Sequence, residues 1–131
     1  MSLRLEYLIS REYKEGSLTV EMAYIPTLSV NRYKTARGIT RFEVKKWMSE
    51  LSWITGLTTE RGIKPPIKVT VSGVFKDKRH PDMDNLLKVI CDAVKFGLGI
   101  DDKDYTHETL PATIGGEPRL IITIEQLQEV L

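Results

Sequence analysis

A chain of 131 residues and 15.0 kDa fits one domain and leaves little room for a second. Its 41% hydrophobic and 28% charged residues exclude a disordered chain, and the single Cys91 excludes an internal disulfide or a cysteine-built zinc cluster. The net charge of +1 hides a segregation: residues 26–80 carry twelve Lys/Arg against four Asp/Glu, whereas residues 101–131 carry two against seven.

Residues 3–9 alternate in polarity, Glu15-Gly16 is a turn signal, and residues 17–25 alternate with Leu18, Val20, Met22 and Tyr24 on one face, so a hairpin is expected. Residues 26–39 have no period and read as a basic loop. Thr40-Arg41-Phe42-Glu43 has the form of a capping box, and Trp47, Leu51 and Ile54 recur at helical spacing, which predicts a helix over 41–54 stopped by Gly56. After Pro65-Pro66, the residues Ile67, Val69, Val71 and Phe75 alternate with polar ones, the clearest strand in the chain. A polar loop from Lys76 to Pro81 leads to a helix over 83–96, with Leu86, Leu87, Ile90, Ala93, Val94 and Gly97 on one face and Asp84, Lys88 and Asp92 on the other.

Gly97 and Gly99 are read as ending that helix, residues 105–112 as a weak strand, Gly115-Gly116 as a turn and 119–125 as a strong strand. The order strand-helix-strand-helix-strand-strand predicts an α+β fold: a single domain over 1–131, with a mixed β-sheet of about four to five strands and two main helices packed on it. Residues 1–16 are an extra N-terminal segment holding a possible additional strand. No run reaches the ~18 apolar residues of a membrane span, and the N-terminus lacks a basic stretch followed by an apolar core. A cytoplasmic protein without a membrane partner is expected.

The informative segment is 79–102, RHPDMDNLLKVICDAVKFGLGIDD. Asp82 and Asp84 stand where a strand's exit loop meets a helix start, and Asp101-Asp102 follow the other end of that helix. Carboxylates that converge repel one another unless a cation sits among them, and magnesium suits such hard oxygen ligands. Nearby Lys and Arg would hold phosphates. The bland alternatives are that Asp82 or Asp84 caps the helix, that Lys88 pairs with Asp84 and Asp92, and that Asp101-Asp102 is a solvated turn. Asp82-x-Asp84 also opens like a calcium-binding loop, but Leu86 at its fifth position and the lack of glycine at the sixth exclude that motif. His80 and His107 read as solvated, and Trp47 and Trp53 as core or dimer contacts.

Taken together, Asp82-x-Asp84-Asn85-Leu86-x-Lys88, then Asp92, then Asp101-Asp102 after a glycine-bearing segment, resembles the RusA family of Holliday junction resolvases. Residues 18–33 (LTVEMAYIPTLSVNRY) resemble the family's first strand and the Asn-Arg-Tyr loop after it, and 66–76 and 119–125 its second and last strands. The resemblance implies a bacterial or phage-encoded homodimeric endonuclease of DNA recombination and repair that cuts four-way junctions. It implies Mg2+ as cofactor, with Mn2+ as a substitute, and hydrolysis without a covalent enzyme intermediate. Asp82, Asp84 and Asp102 match the metal-binding carboxylates and Lys88 the catalytic lysine, while Asp101 and Asp92 match supporting acidic positions. Arg32, Lys34, Arg37, Lys76, Lys78 and Arg79 would bind the DNA backbone. The alternative is a catalytically weak or inactive nucleic-acid-binding relative of the same fold.

Overall fold

The computed structural model describes residues 5–57 and 63–127. Its elements are strands β1 (Leu8–Lys14) and β2 (Ser17–Ala23), helix α1 (Phe42–Leu57), β3 (Ile67–Phe75), α2 (Asp84–Leu98), β4 (Tyr105–Thr109), β5 (Thr113–Ile114) and β6 (Arg119–Gln126). Short 3-10 turns at Pro26–Leu28 and Asp102–Asp104 precede α1 and β4.

The sheet runs β1-β2-β6-β3-β4, with β5 pairing the far end of β3. β2 and β3 both run antiparallel to β6, whereas β4 and β5 run parallel to β3. The mixed sheet and two helices match the α+β expectation, with six strands among the described residues. The N-terminal strand lies at 8–14 rather than 3–9, and Gly16, at φ +81°, makes the expected turn after it.

Alternation decides which face is buried. Leu18, Val20 and Met22 of β2, Ile67, Val69 and Val71 of β3, and Leu120, Ile122 and Ile124 of β6 are buried and shared with one core. Val44, Trp47, Leu51 and Ile54 of α1 and Leu86, Val89, Ile90, Ala93 and Val94 of α2 complete it. The reverse face of the sheet is polar and half-buried, where Thr19 and Thr123 face each other with hydroxyls 3.5 Å apart. Cys91 is buried in this core, as an apolar helix position would be. Trp47 is wholly buried, and its indole N–H donates to the Ala23 carbonyl at 2.8 Å; Trp53 stays 42% exposed.

Two glycines expected to stop helices do something else. Gly56 lies inside α1 and Gly97 inside α2, and they meet where the helices cross: a Cβ on Gly56 would stand 3.2 Å from the Gly97 carbonyl oxygen. Ser52 Oγ donates to the Ala93 carbonyl at 2.8 Å in the same crossing. Only Gly99, left-handed at φ +67°, terminates α2. A Cβ on Gly97 would lie 2.1 Å from Thr55 Oγ1 and 2.3 Å from the Ser52 carbonyl oxygen, and the latter is backbone that cannot swing aside. Gly97→Ala is therefore expected to push α1 from α2 and to cost roughly 1–3 kcal/mol despite alanine's better helix propensity. Thermal denaturation should register this as a Tm lower by about 5–10 °C. An unchanged Tm would mean the helices do not approach this closely.

Candidate functional site

The sheet register brings two basic loops to one edge. Ala23 at the end of β2 pairs with Arg119 of β6, and Arg119 pairs with Val74 at the end of β3. The loop after β2, with Arg32, Lys34 and Arg37, and the loop after β3, with Lys76, Lys78 and Arg79, therefore leave the same end of the sheet. All six side chains are exposed. The first loop is folded on itself by a bridge between Lys34 and Thr40 and by Arg41 Nε donating to the Arg32 carbonyl at 2.8 Å. Val30 N–H donates to the Asn85 carbonyl at 2.8 Å, which ties this loop to the first turn of α2. A charge surplus that was only compositional becomes spatial, gathered where α2 begins.

Asp82 and Asp84 stand at that helix start, both exposed. Neither side chain caps the helix: the N-cap position is Met83, without a side-chain cap bond, and Asp82 contributes its backbone carbonyl, which accepts from Asn85 N–H at 2.9 Å. The positive end of the helix dipole favours carboxylates here. Asp84 Oδ1 accepts from the Thr109 hydroxyl at 3.2 Å, a residue at the end of β4. The Asp82 carboxylate has no hydrogen-bond or ion-pair partner among the described residues.

Further along α2, Lys88 Nζ lies 3.3 Å from Asp92 Oδ2, and Asp92 Oδ1 lies 3.5 Å from Lys95 Nζ. Asp101 and Asp104 form a capping box around the following 3-10 turn, with Asp101 N–H donating to Asp104 Oδ2 at 3.2 Å. The side chain of Asp102 lies outside the described part of the structure. Because Tyr105 pairs with Ile67 at the start of β3, the Asp101-Asp102 turn sits at the opposite end of α2 from Asp82 and Asp84. Fifteen helical residues separate the two ends by ~22 Å. Among the described residues, no three His, Cys, Asp or Glu side chains gather within reach of one metal ion.

His80 is packed rather than freely solvated. Its ring is half-buried and stacks on Phe75, centroids 4.5 Å apart and planes 13° apart, while Nδ1 lies 2.8 Å from the Pro81 carbonyl oxygen. Tyr24 meets Phe75 edge-on at 5.1 Å. Burial raises the Tyr24 hydroxyl above its usual range, opposed by the nearby Arg32 charge. Hydrogen bonds from the Arg79 guanidinium and its backbone N–H hold the Asp77 carboxyl below the ordinary carboxylate range. Thr109, Tyr24 and the Phe75–His80 stack were not found by sequence reasoning. Thr109 reaches Asp84 only through parallel pairing, which no local period announces.

Comparison with solved structures places the chain in a familiar α+β class. It superposes on the OmpA-like domain of FopA1 from Francisella tularensis with a TM-score of 0.50, at 14% identity over 96% of this chain and 86% of that one. The periplasmic domain of Helicobacter pylori MotB also gives 0.50, at 9% identity over 90% of this chain and 87% of that one. At such identities the likeness is one of fold alone.

The family follows from the sequence. The model of the endodeoxyribonuclease RusA family matches residues 24–125, and the chain belongs to that family. It is 36% identical over 74 residues to the crossover junction endodeoxyribonuclease of Enterobacteria phage 82, covering 53% of this chain and 62% of that relative. It is 38% identical over 66 residues to the Escherichia coli K12 enzyme of the same name, covering 47% of this chain and 55% of that relative. The chain thus spans between half and two thirds of the length of these relatives. No helix among the described residues is long and apolar enough to cross a membrane.

Proposed function

We propose that this chain is a divalent-metal-dependent endonuclease that hydrolyses phosphodiester bonds in four-way DNA junctions, acting as a homodimer in recombination and repair. The supporting observation is the exposed Asp82–Asp84 pair at the α2 N-terminus, relieved of capping and framed by two basic loops. A protein that only bound phosphate would gain nothing from like charges at that position. The relatives named crossover junction endodeoxyribonucleases agree with the reading.

The donor set suits magnesium, with manganese as a substitute, because Asp82 and the remaining oxygen of Asp84 offer hard ligands without structural duties. Such an ion, when bound, supplies an activated water and neutralises charge developing on the phosphate. Thr109 fixes the Asp84 carboxylate through its hydroxyl. Lys88, one turn along α2 and 54% exposed, exchanges its Asp92 partner for a phosphate oxygen. Arg32, Lys34, Arg37, Lys76, Lys78 and Arg79 hold the flanking backbone, so that recognition depends on shape and charge rather than base edges.

Asp102, the third carboxylate, comes from a second copy. An α2 helix cannot fold its own far end back onto its start, but two α2 helices lying antiparallel about a two-fold axis bring Asp102 of each chain to Asp82 and Asp84 of the other. The surface beside α2 is suited to that pairing. Phe96 and Trp53, 83% and 42% exposed, border an apolar groove between α1 and α2. Asp92 and Asp101 then act as supporting acidic groups rather than as ligands.

The test is a synthetic four-way junction beside a matched linear duplex, each with magnesium or with chelator. Cutting of the junction alone, and only with metal, is expected. Equal cutting of both would make the protein a general nuclease, and binding without cutting would make it an inactive relative.

A further inference from the structure

We propose that the cleft lined by Tyr24, Phe75, Lys76, Asp77, Arg79 and Pro118 receives a single unpaired nucleobase extruded from the branch point beside the strand to be cut. The inference deepens the junction-nuclease reading above and rests on it. The cleft encloses about 370 Å³ at the end of β3, within the two basic loops.

Its aromatic wall is braced. Phe75 is buried and already carries the His80 ring on its face, with the Tyr24 ring set against it at an interplanar angle of 82°. Tyr24 is itself held in place, because its backbone N–H points to the Pro118 carbonyl oxygen at 3.5 Å across the cleft. The rim carries two exposed cations, Lys76 and Arg79, and Asp77 sits beside Arg79 as a fixed acceptor. Aromatic surface next to cations is the chemistry that takes a base by its face and the adjoining phosphate by its charge. Within a stacked duplex no base offers such a face, whereas at a branch point unstacking is cheapest.

The position fits the cutting site. The stacked His80 is joined through Pro81 to Asp82, so a base seated here lies next to the phosphate held at the α2 start. The His80 stack also gives the half-buried imidazole a role: held on Phe75 and at the Pro81 carbonyl, it orders the loop between cleft and carboxylates.

A series of four-way junctions, each lacking one base near the crossover, tests this on the unaltered protein. Affinity is measured with chelator present, so that cutting does not intervene. Loss of one particular base should weaken binding roughly ten-fold, the order supplied by one base–aromatic stack. Tyr24→Ala should lose the same factor on the intact junction and lose little more on that abasic one, while Tyr24→Phe should bind as the parent does. A series without a sensitive position, or a Tyr24→Ala loss that multiplies with every abasic position, overturns the proposal. Junction cutting with a flat series removes the cleft and leaves the nuclease reading standing. One sensitive position in a protein that binds junctions without cutting them does the reverse.

Discussion

Replacing Asp84 by Asn is expected to slow junction cutting by about 1,000-fold, the rate equivalent of ~4 kcal/mol, while leaving junction binding equal or tighter. The variant is nearly isosteric. It keeps an acceptor for the Thr109 hydroxyl, whose 3.2 Å bond to Asp84 Oδ1 would survive. The side chain is exposed and caps nothing, so stability should move by no more than about 0.5 kcal/mol. What changes is charge: the ion loses an anionic ligand, and the DNA backbone loses a repulsive neighbour. Three measurements separate this from a structural role, namely the cutting rate, a binding isotherm with chelator, and Tm. A variant that melts early or no longer binds would assign Asp84 to the fold instead.

The strands of the centre were legible because one face of each is buried and the other is not. β2 and β6 alternate along their length and β3 does so from Ile67 to Ser72, and their expected bounds agree with those observed to within about two residues. β1 was displaced because it is an edge strand with four successive exposed residues, Ile9 to Glu12, so burial left no period to read. The two helices were found from their apolar faces, but their ends were misjudged at Gly56 and Gly97. A glycine that permits close helix approach looks, in sequence, like one that stops a helix; only the crossing partner distinguishes them.

The candidate site divides along the same line. Asp82, Asp84 and Lys88 are neighbours in sequence at the start of one helix, so spacing exposed them. The six basic residues were visible as composition, yet their convergence depends on β6 pairing with both β2 and β3, a long-range fact. Thr109 and the Tyr24–Phe75–His80 group depend on tertiary contact alone. Nothing in local spacing marks a threonine that will orient a carboxylate 25 residues earlier.

A mixture of two inactive variants should recover strand cutting that neither shows alone. If Asp82 and Asp84 of one chain share an ion with Asp102 of the other, a dimer of one Asp84→Asn chain and one Asp102→Asn chain contains one site with both defects and one with neither. Co-refolded or co-expressed in equal amounts, half of the dimers are of this mixed kind, so nicking of one strand should return to about a quarter of the parent's site count. Paired cuts should stay rare, because no dimer in the mixture has two intact sites. A site completed within one chain predicts the opposite outcome, since each half of the mixed dimer would then carry its own defect and no strand would be cut. The ~22 Å between the ends of α2, and the pairing of Tyr105 with Ile67 rather than with the far end of β3, hold the two ends of the helix apart within one chain. Recovered nicking would make the second copy part of the chemistry, whereas continued inactivity, with mixed dimers demonstrated by co-purification through an affinity tag on one variant only, would return all three carboxylates to a single chain and require α2 or the turn after it to move on binding DNA.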